Sequence, residues 1–405
     1  MENFKANRNV SIAISWKRNN LLTMVDDIKK PFYLDYNATT PHDPSVVAAM
    51  TPFLEEYFGN PSSSHWYGVQ TKAAVEMART RVASFLNCKP SEIVFTSGGT
   101  ESNNYAIEGV AFSRQDQGNH IITSQIEHPA VIEVCKFLEE HGFKVSYLPV
   151  DESGLVSIPT LEQEITPQTI LITIMHANNE VGTIQPIEQI TRLARKKGIV
   201  VHTDAAQSAG KIVTDVNELN VDLLSIAGHK IYAPKGVGAL FIRQGVQLQK
   251  FMHGAGHESG RRAGTENILG IVGLGKACEI AKRDLTINAS HMKAMRDSLY
   301  EGLKERVEVK VNGHPEMRLP NTLSVSFKGI DANTLLSRIA KDVAASAGSA
   351  CHSGKTEISS VLKAMNAPVE VAQGTVRFSV GKMTTENEIE AAINAIAKAV
   401  GDLKK

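Results

Sequence analysis

From about residue 90 onward, short apolar runs alternate with stretches whose apolar residues recur every three to four positions. SEIVFTSGG, NHIITSQIEH, KVSYLPV, TILITIMHANNE, GIVVHTDAAQ, VDLLSIAGHK and GVGALFIR each read as a strand of four to seven residues. Between them, HPAVIEVCKFLEEHGF and IEQITRLARKKG have the three-to-four spacing of amphipathic helices, and each runs into a glycine stop. Strand, helix and strand in repetition predict a mainly parallel sheet with helices on both faces. Ligands of such sheets bind beyond the carboxyl ends of the strands. SGGTESNN, EHPA, HANNE, DAAQ and GHK all fall at those ends, so topology alone predicts one convergent site.

Past residue 276 the pattern changes. A long charged helix (ACEIAKRDLTINASHMKAMRDSLYEGLKERV) leads into short strands, NTLSVSFKG and GTVRFSVG, and a closing helix, TTENEIEAAINAIAKAVGDL. The expected division is an N-terminal extension over 1–30, a large α/β unit over 31–275 and a smaller α+β unit over 276–405. SAGSACHSG, residues 346–354, belongs to the last.

A length of 405 residues fits two or three domains, and 42% apolar with 21% charged residues fits a globular chain with a sizeable core. Lys plus Arg and Asp plus Glu both number 43, which argues against nucleic-acid and membrane-surface roles. No apolar run approaches the roughly 20 residues of a membrane span. The 4 cysteines are far apart with no CxxC pair, which excludes the usual zinc spacing and points to a reducing, cytoplasmic compartment with no metal centre. The first thirty residues mix Lys, Arg, Asn and Ser with short apolar patches. They read as a frayed extension, as an upstream start with Met24 the natural one, or as an organellar transit peptide with only Glu2 preceding Asp26.

Lys230 lies just past the strand VDLLSIAGHK, where a lysine is either a surface charge or a desolvated Schiff-base amine. Asp204 ends the neighbouring strand, where it is either a helix cap or a partner for that amine's cofactor. Together at two strand ends they suit pyridoxal phosphate (PLP), with the lysine bonded to the cofactor and the carboxylate on its ring nitrogen. The turn around Gly99 and Thr100 offers backbone N–H groups at a helix start, a phosphate site. His128 is either a capping residue or a flat ring at the mouth of the site.

YLDYNATTP, FGNPSSSHWYG, FTSGGTESNN, ITSQIEHPAV, MHANNEVGTIQP, HTDAAQSAGK, GHKIYAPKGVGAL, GRRAGTEN, SAGSACHSG and TVRFSVGKMTTENEIE follow one another in order. The set closely resembles the NifS/IscS-type cysteine desulfurases and the related selenocysteine lyases, fold-type I PLP-dependent transferases. It covers the chain from about Tyr33 to Glu390. The resemblance implies a large domain with a mainly parallel seven-stranded sheet and a smaller α+β C-terminal domain. It implies that Lys230 holds PLP and moves the substrate Cα proton, with His128 stacked on the ring. Asp204 would pair with the ring nitrogen, Asn179 and Gln207 would lie near the ring hydroxyl, and Gly99, Thr100 and His229 would bind phosphate. Thr265 would reach the phosphate of a partner subunit, implying a homodimer. Arg377 and Asn37 would hold the substrate, Arg377 by a bidentate fork on its carboxylate.

Cys351 would take sulfur from L-cysteine as a persulfide, leaving L-alanine, for delivery to an acceptor such as a protein of iron–sulfur cluster biosynthesis. The glycines and serines around it suit a flexible tether. Two departures stand out. Ala227 replaces the hydroxyl residue that the family commonly carries there, which removes a phosphate hydrogen bond worth roughly 1 kcal/mol. The chain also ends at GDLKK, without the longer tail that helps housekeeping relatives dock a scaffold protein. Selenocysteine lyase is the nearest alternative, and a catalytically silent adaptor or a plain aminotransferase the more distant ones.

Overall fold

The computed structural model describes residues 30–347, 351–352, 355–356 and 358–405. After β1 (Phe32–Tyr33) come two helices, α1 (Pro44–Glu55) and α2 (Trp66–Leu86). Asp43 caps α1 by accepting from the Ser45 backbone N–H, with Pro44 in the first helical position. The alternation then begins with β2 (Ile93–Thr96), α3 (Gly99–Ser113), β3 (His120–Ser124), α4 (Pro129–Glu140) and β4 (Lys144–Leu148). It continues through α5 (Ile158–Glu164), β5 (Thr169–Thr173), α6 (Ile187–Arg195), β6 (Val200–Asp204), β7 (Leu223–Ala227) and β8 (Gly238–Ile242).

All seven strands expected from the sequence join one sheet in the order β2-β8-β7-β6-β5-β3-β4. Every pairing from β4 to β7 is parallel. β8 runs antiparallel to both β7 and β2, because the short link from β7 leaves no room for a crossover helix. β2, β3 and β5 to β8 are buried on both faces, which explains why they read as unbroken apolar runs. Within β2, Ile93 and Phe95 join one core cluster while Val94 joins the other across the sheet.

The remaining elements are α7 (Ile268–Lys304), β9 (Val309–Val311), β10 (Thr322–Phe327), α8 (Ala332–Ile339), β11 (Val343–Ala344) and β12 (Ser346–Ala347). After these come β13 (Cys351–His352), β14 (Lys355–Thr356), α9 (Ser360–Ala364), α10 (Val369–Gln373), β15 (Thr375–Ser379) and α11 (Glu386–Leu403). A four-stranded antiparallel sheet, β12-β15-β10-β9, shares a separate core with α8, α11 and the end of α7. Thr385 and Glu388 close α11 with a reciprocal capping box.

Two features differ from the division expected at 31 and 276. A cut at 276 falls inside α7, a 37-residue helix about 55 Å long. Its first half packs Ile271, Leu274 and Cys278 into the large core, and its second packs Met292, Leu299 and Leu303 into the small one. β1 pairs in parallel with β11, and Leu34 is buried in the small core. The N-terminal strand therefore belongs to the C-terminal unit. Gly275 is required where α7 meets α2, since a Cβ there would lie 2.6 Å from the Ala78 Cα. Among the described residues no helix is long and apolar enough to cross a membrane, and no group of three or more His, Cys, Asp or Glu could hold a metal ion.

Candidate active site

The carboxyl ends of β6 and β7 and the starts of α3 and α4 meet around a cavity of about 170 Å³. Asp204, the last residue of β6, is 7% exposed and enters this cavity from one side. Its Oδ1 accepts from the Ala206 backbone N–H at 2.8 Å, and its Oδ2 accepts from the Asn103 amide at 2.7 Å. Lys230 follows β7 on a single 3-10 turn, Gly228–Lys230. Its Nζ donates to the backbone carbonyls of Asn37 and of Ala38, the latter at 2.9 Å. Burial, helped by the Arg377 charge and opposed by Asp204 and Asp35, pulls the Lys230 ammonium down to about 8. An amine in that range is a usable nucleophile and base near neutral pH.

His128 caps α4, its Nδ1 accepting from the Ala130 N–H at 3.1 Å, which puts the ring proton on Nε2 in the neutral form. Crowding by the protein lowers its pKa, with Asp204 opposing and Lys230 assisting. The ring nonetheless remains exposed, because it lines the cavity. The preceding Glu127 is buried and accepts from the Ser124 hydroxyl at 2.6 Å and the Met175 N–H at 3.0 Å. Burial raises its carboxyl to about 8, so it is mainly protonated at neutral pH and adds little charge beside Asp204.

At the far end of the cavity, α3 is preceded by its N-cap Gly98, whose φ of 154° favours glycine and whose lack of a side chain leaves the helix without a side-chain cap. The first-turn N–H groups of α3 therefore face the cavity beside Gly99, Thr100 and His229. Burial together with Lys230, Lys235 and Lys211 holds His229 near 4, so it is neutral and its ring Nδ1 lies 3.2 Å from the Thr39 hydroxyl. An amine, a carboxylate across from it and an anion cradle at one end fit PLP by the chemistry of the donor set.

Eight of the residues singled out in the sequence line this cavity: Gly99, Thr100, His128, Asn179, Asp204, Gln207, His229 and Lys230. Three do not. Thr265 is exposed and lies elsewhere. Asn37 is buried, with both amide hydrogens used on the Asn179 carbonyl (3.1 Å) and the Thr322 hydroxyl (2.8 Å), while its Oδ1 accepts from Asn321. Its side chain holds the two units together; only its backbone carbonyl reaches Lys230 and Gln207. Arg377, on β15, touches the cavity wall indirectly, donating to the Asn179 carbonyl at 3.0 Å and to Asp35 at 2.8 Å. Its buried Nε has no partner among the described residues.

The Cys351 side chain lies outside the described residues, but both roots of its segment are described. Ser346 pairs in register with Arg377 and donates to Asp35 Oδ2 at 2.9 Å, the carboxylate that also holds Arg377. On the far side, the Ser359 hydroxyl donates to Glu180, next in sequence to Asn179. Burial raises Glu180 to about 7 against the opposing effects of Ser359 and Arg377. The other thiols are packed: Cys135 and Cys278 are fully buried, and burial pushes Cys88 and Cys135 up to about 12.

Sequence reasoning missed Asn103, Asp35, Glu180 and Lys211. Asn103 sits one turn into α3 and reads as a helix-surface amide; its neighbour Ser102 is equally buried, and that polar pair inside an apolar stretch is the available signal.

A lysine and an aspartate at adjacent strand ends, on a mainly parallel sheet with an anion cradle, define a PLP-dependent enzyme. The chain belongs to the aminotransferase class-V family, whose model matches residues 32–392. It is 46% identical over 379 residues to a cysteine desulfurase IscS of Dictyoglomus turgidum, covering 93% of this chain and 96% of that protein. It is 47% identical over 376 residues to a cysteine desulfurase IscS of Methanosarcina thermophila, covering 93% of each. Among solved structures, a NifS-like protein superposes with a TM-score of 0.87 at 41% identity, covering 92% of this chain and all of that one. SspA in complex with cysteine superposes with a TM-score of 0.77 at 39% identity, covering 87% and 99%.

The lowered Lys230 pKa carries a kinetic signature. Covalent uptake of PLP by the cofactor-free protein requires the neutral amine, so its rate is expected to rise with pH, reach half its maximum near 8 and level off about one unit above. An ordinary lysine, titrating near about 10.4, would keep gaining rate for roughly two further pH units. Stopped-flow absorbance of PLP uptake across pH 6.5 to about 10.5 checks this, and a plateau only above pH 10 would contradict it.

Proposed function

We propose that this chain is an L-cysteine desulfurase that converts L-cysteine to L-alanine and carries the sulfur as a persulfide on Cys351. The observation that carries the reading is the shared anchorage of Arg377 and Ser346 on Asp35: the strand leading to Cys351 starts beside the guanidinium next to the cavity. Five residues of chain reach at most ~17 Å, so the thiol has the tether to approach the cavity from that root.

Gly99 and Thr100 at the start of α3, together with His229, would hold the phosphate of PLP, which would supply an electron sink that lets the substrate Cα–H bond ionise. Lys230 anchors the cofactor and then moves protons at the substrate Cα. Asp204, oriented by Asn103 and Ala206, keeps the ring nitrogen protonated. His128 covers the ring face and, with its Nε2–H, can exchange a proton with the substrate. Arg377 takes the substrate carboxylate, with its Nε still available and Asp35 and Asn179 fixing the guanidinium plane. The Cys351 thiolate attacks the substrate sulfur: a sulfur–sulfur bond forms, the Cβ–S bond breaks, and its electron pair ends with a proton on Cβ. The sum is cysteine plus enzyme thiol giving alanine plus enzyme persulfide.

The reading extends to a cytoplasmic homodimer in which exposed Thr265 reaches the phosphate in the partner subunit's cavity, and to a protein acceptor for the sulfur. Its test is the product balance in the presence of PLP and a reductant. Alanine and released sulfide are expected in equal amounts, with kcat/KM for L-cysteine measured beside that for L-selenocysteine. Turnover of selenocysteine alone would overturn the assignment in favour of a lyase.

A further inference from the structure

Beside Gln207, and not itself lining the cavity, lies Lys211, a buried lysine that the reaction above does not use. Its Nζ donates to the Gln207 backbone carbonyl at 2.9 Å and to the Gln207 side-chain Oε1 at 3.2 Å. Among the described residues no carboxylate pairs with it. An ammonium or amine bonded only to the residue it neighbours costs desolvation without an ion pair in return, which calls for a reason.

The orientation of Gln207 supplies one. At most sites the oxygen and nitrogen of an amide are assigned from their partners. Here the partners leave no ambiguity. Lys211 donates, so it faces Oε1. The Asn37 carbonyl can only accept, and it takes Nε2–H at 3.0 Å. The second Nε2 hydrogen has no partner among the described residues, and Gln207 lines the cavity. We propose that Lys211 is a positioning residue that locks the Gln207 amide with its N–H toward the cofactor cavity, so that Gln207 donates to the ring oxygen of bound PLP.

Without Lys211 the Gln207 Oε1 loses its donor and only the Asn37 carbonyl, which Lys230 also uses, still favours the N–H orientation, so the amide is freer to turn and present an acceptor to an oxygen that is itself an acceptor. A fixed donor stabilises the oxygen anion and lowers the pH at which the adjoining nitrogen of Lys230 releases its proton. The charged groups facing Lys211 are Lys230 and Arg377, with the neutral His229 ring also nearby and Asp43 and Lys382 around the small cavity on its other side. Burial, with Lys230 and Arg377, brings Lys211 itself to about 7. Either protonation state of Lys211 still donates to Oε1, so the lock holds across the titration.

The inference rests on the PLP reading of the cavity, and the readout separates the two. In the PLP-loaded protein, the pH midpoint of the cofactor's visible absorbance is expected to rise by about one unit in K211M and by a similar amount in Q207L. The double variant K211M/Q207L is expected to match Q207L alone, since Lys211 acts through Gln207. An unchanged midpoint in K211M overturns the proposal, as does a double-variant shift equal to the sum of the singles. Should K211M not fold, an unchanged midpoint in Q207L overturns it equally. Wild-type protein that never takes up PLP overturns the cofactor reading itself.

Discussion

Replacing Lys230 with alanine is expected to lower alanine formation from L-cysteine on the order of 10²- to 10⁴-fold, the range typical for loss of a positioned general base. Among the described residues Lys230 is the only amine lining the cavity, and its 3-10 turn fixes it against the Asn37 and Ala38 carbonyls. K230R keeps the charge but not a titratable amine, because a guanidinium stays protonated. It is therefore expected to be as inactive as K230A. The decisive measurement is solvent deuterium incorporation at the cysteine Cα in saturating PLP, which should vanish in both variants. A K230R rate within tenfold of wild type would assign the proton transfer to another group. The fold should survive, since removing a half-buried cation that bonds only to carbonyls leaves no orphaned charge.

The second large effect is at Cys351. C351S is expected to lower sulfur release at least about 100-fold, equivalent to roughly 2.7 kcal/mol of barrier. The hydroxyl stays protonated at neutral pH and does not attack sulfur, whereas a thiol near a pKa of about 8.5 supplies a thiolate. PLP binding and the spectral response to added cysteine should persist, because none of the cavity's lining residues changes. Mass spectrometry of the wild type after cysteine treatment should find the Cys351 peptide heavier by one sulfur atom, and C351S should carry no such mass. Sulfur accumulating instead on Cys88, Cys135 or Cys278 would sink the assignment, which their burial and raised pKa values argue against.

The strands of the large sheet were legible because each is a local signal: an apolar run of fixed length ended by a polar cluster. Lys230 and Asp204 were legible for the same reason, each sitting at the end of such a run. Legibility ended where a partner is remote in sequence. Asn103 and Asp204 meet across 101 positions, and Asp35 and Arg377 across 342. Asn37 shows the cost of reading a motif without its surroundings, because its side chain is committed to Thr322, Asn321 and the Asn179 carbonyl rather than to the cavity.

By itself the sequence determined the strand–helix alternation, the strand ends that carry Lys230 and Asp204, and the cysteine on a segment of small residues. Apolar period and turn chemistry act within a few positions, so these are written locally. Only the tertiary structure decided that β1 serves the C-terminal unit, that α7 runs through both cores, and that Asp35 ties Arg377 to the root of the Cys351 segment. It alone turned the Gln207 amide toward the cavity through Lys211. Those outcomes depend on which buried donor meets which acceptor once the two units close on each other, and such pairings leave no periodic trace along the chain.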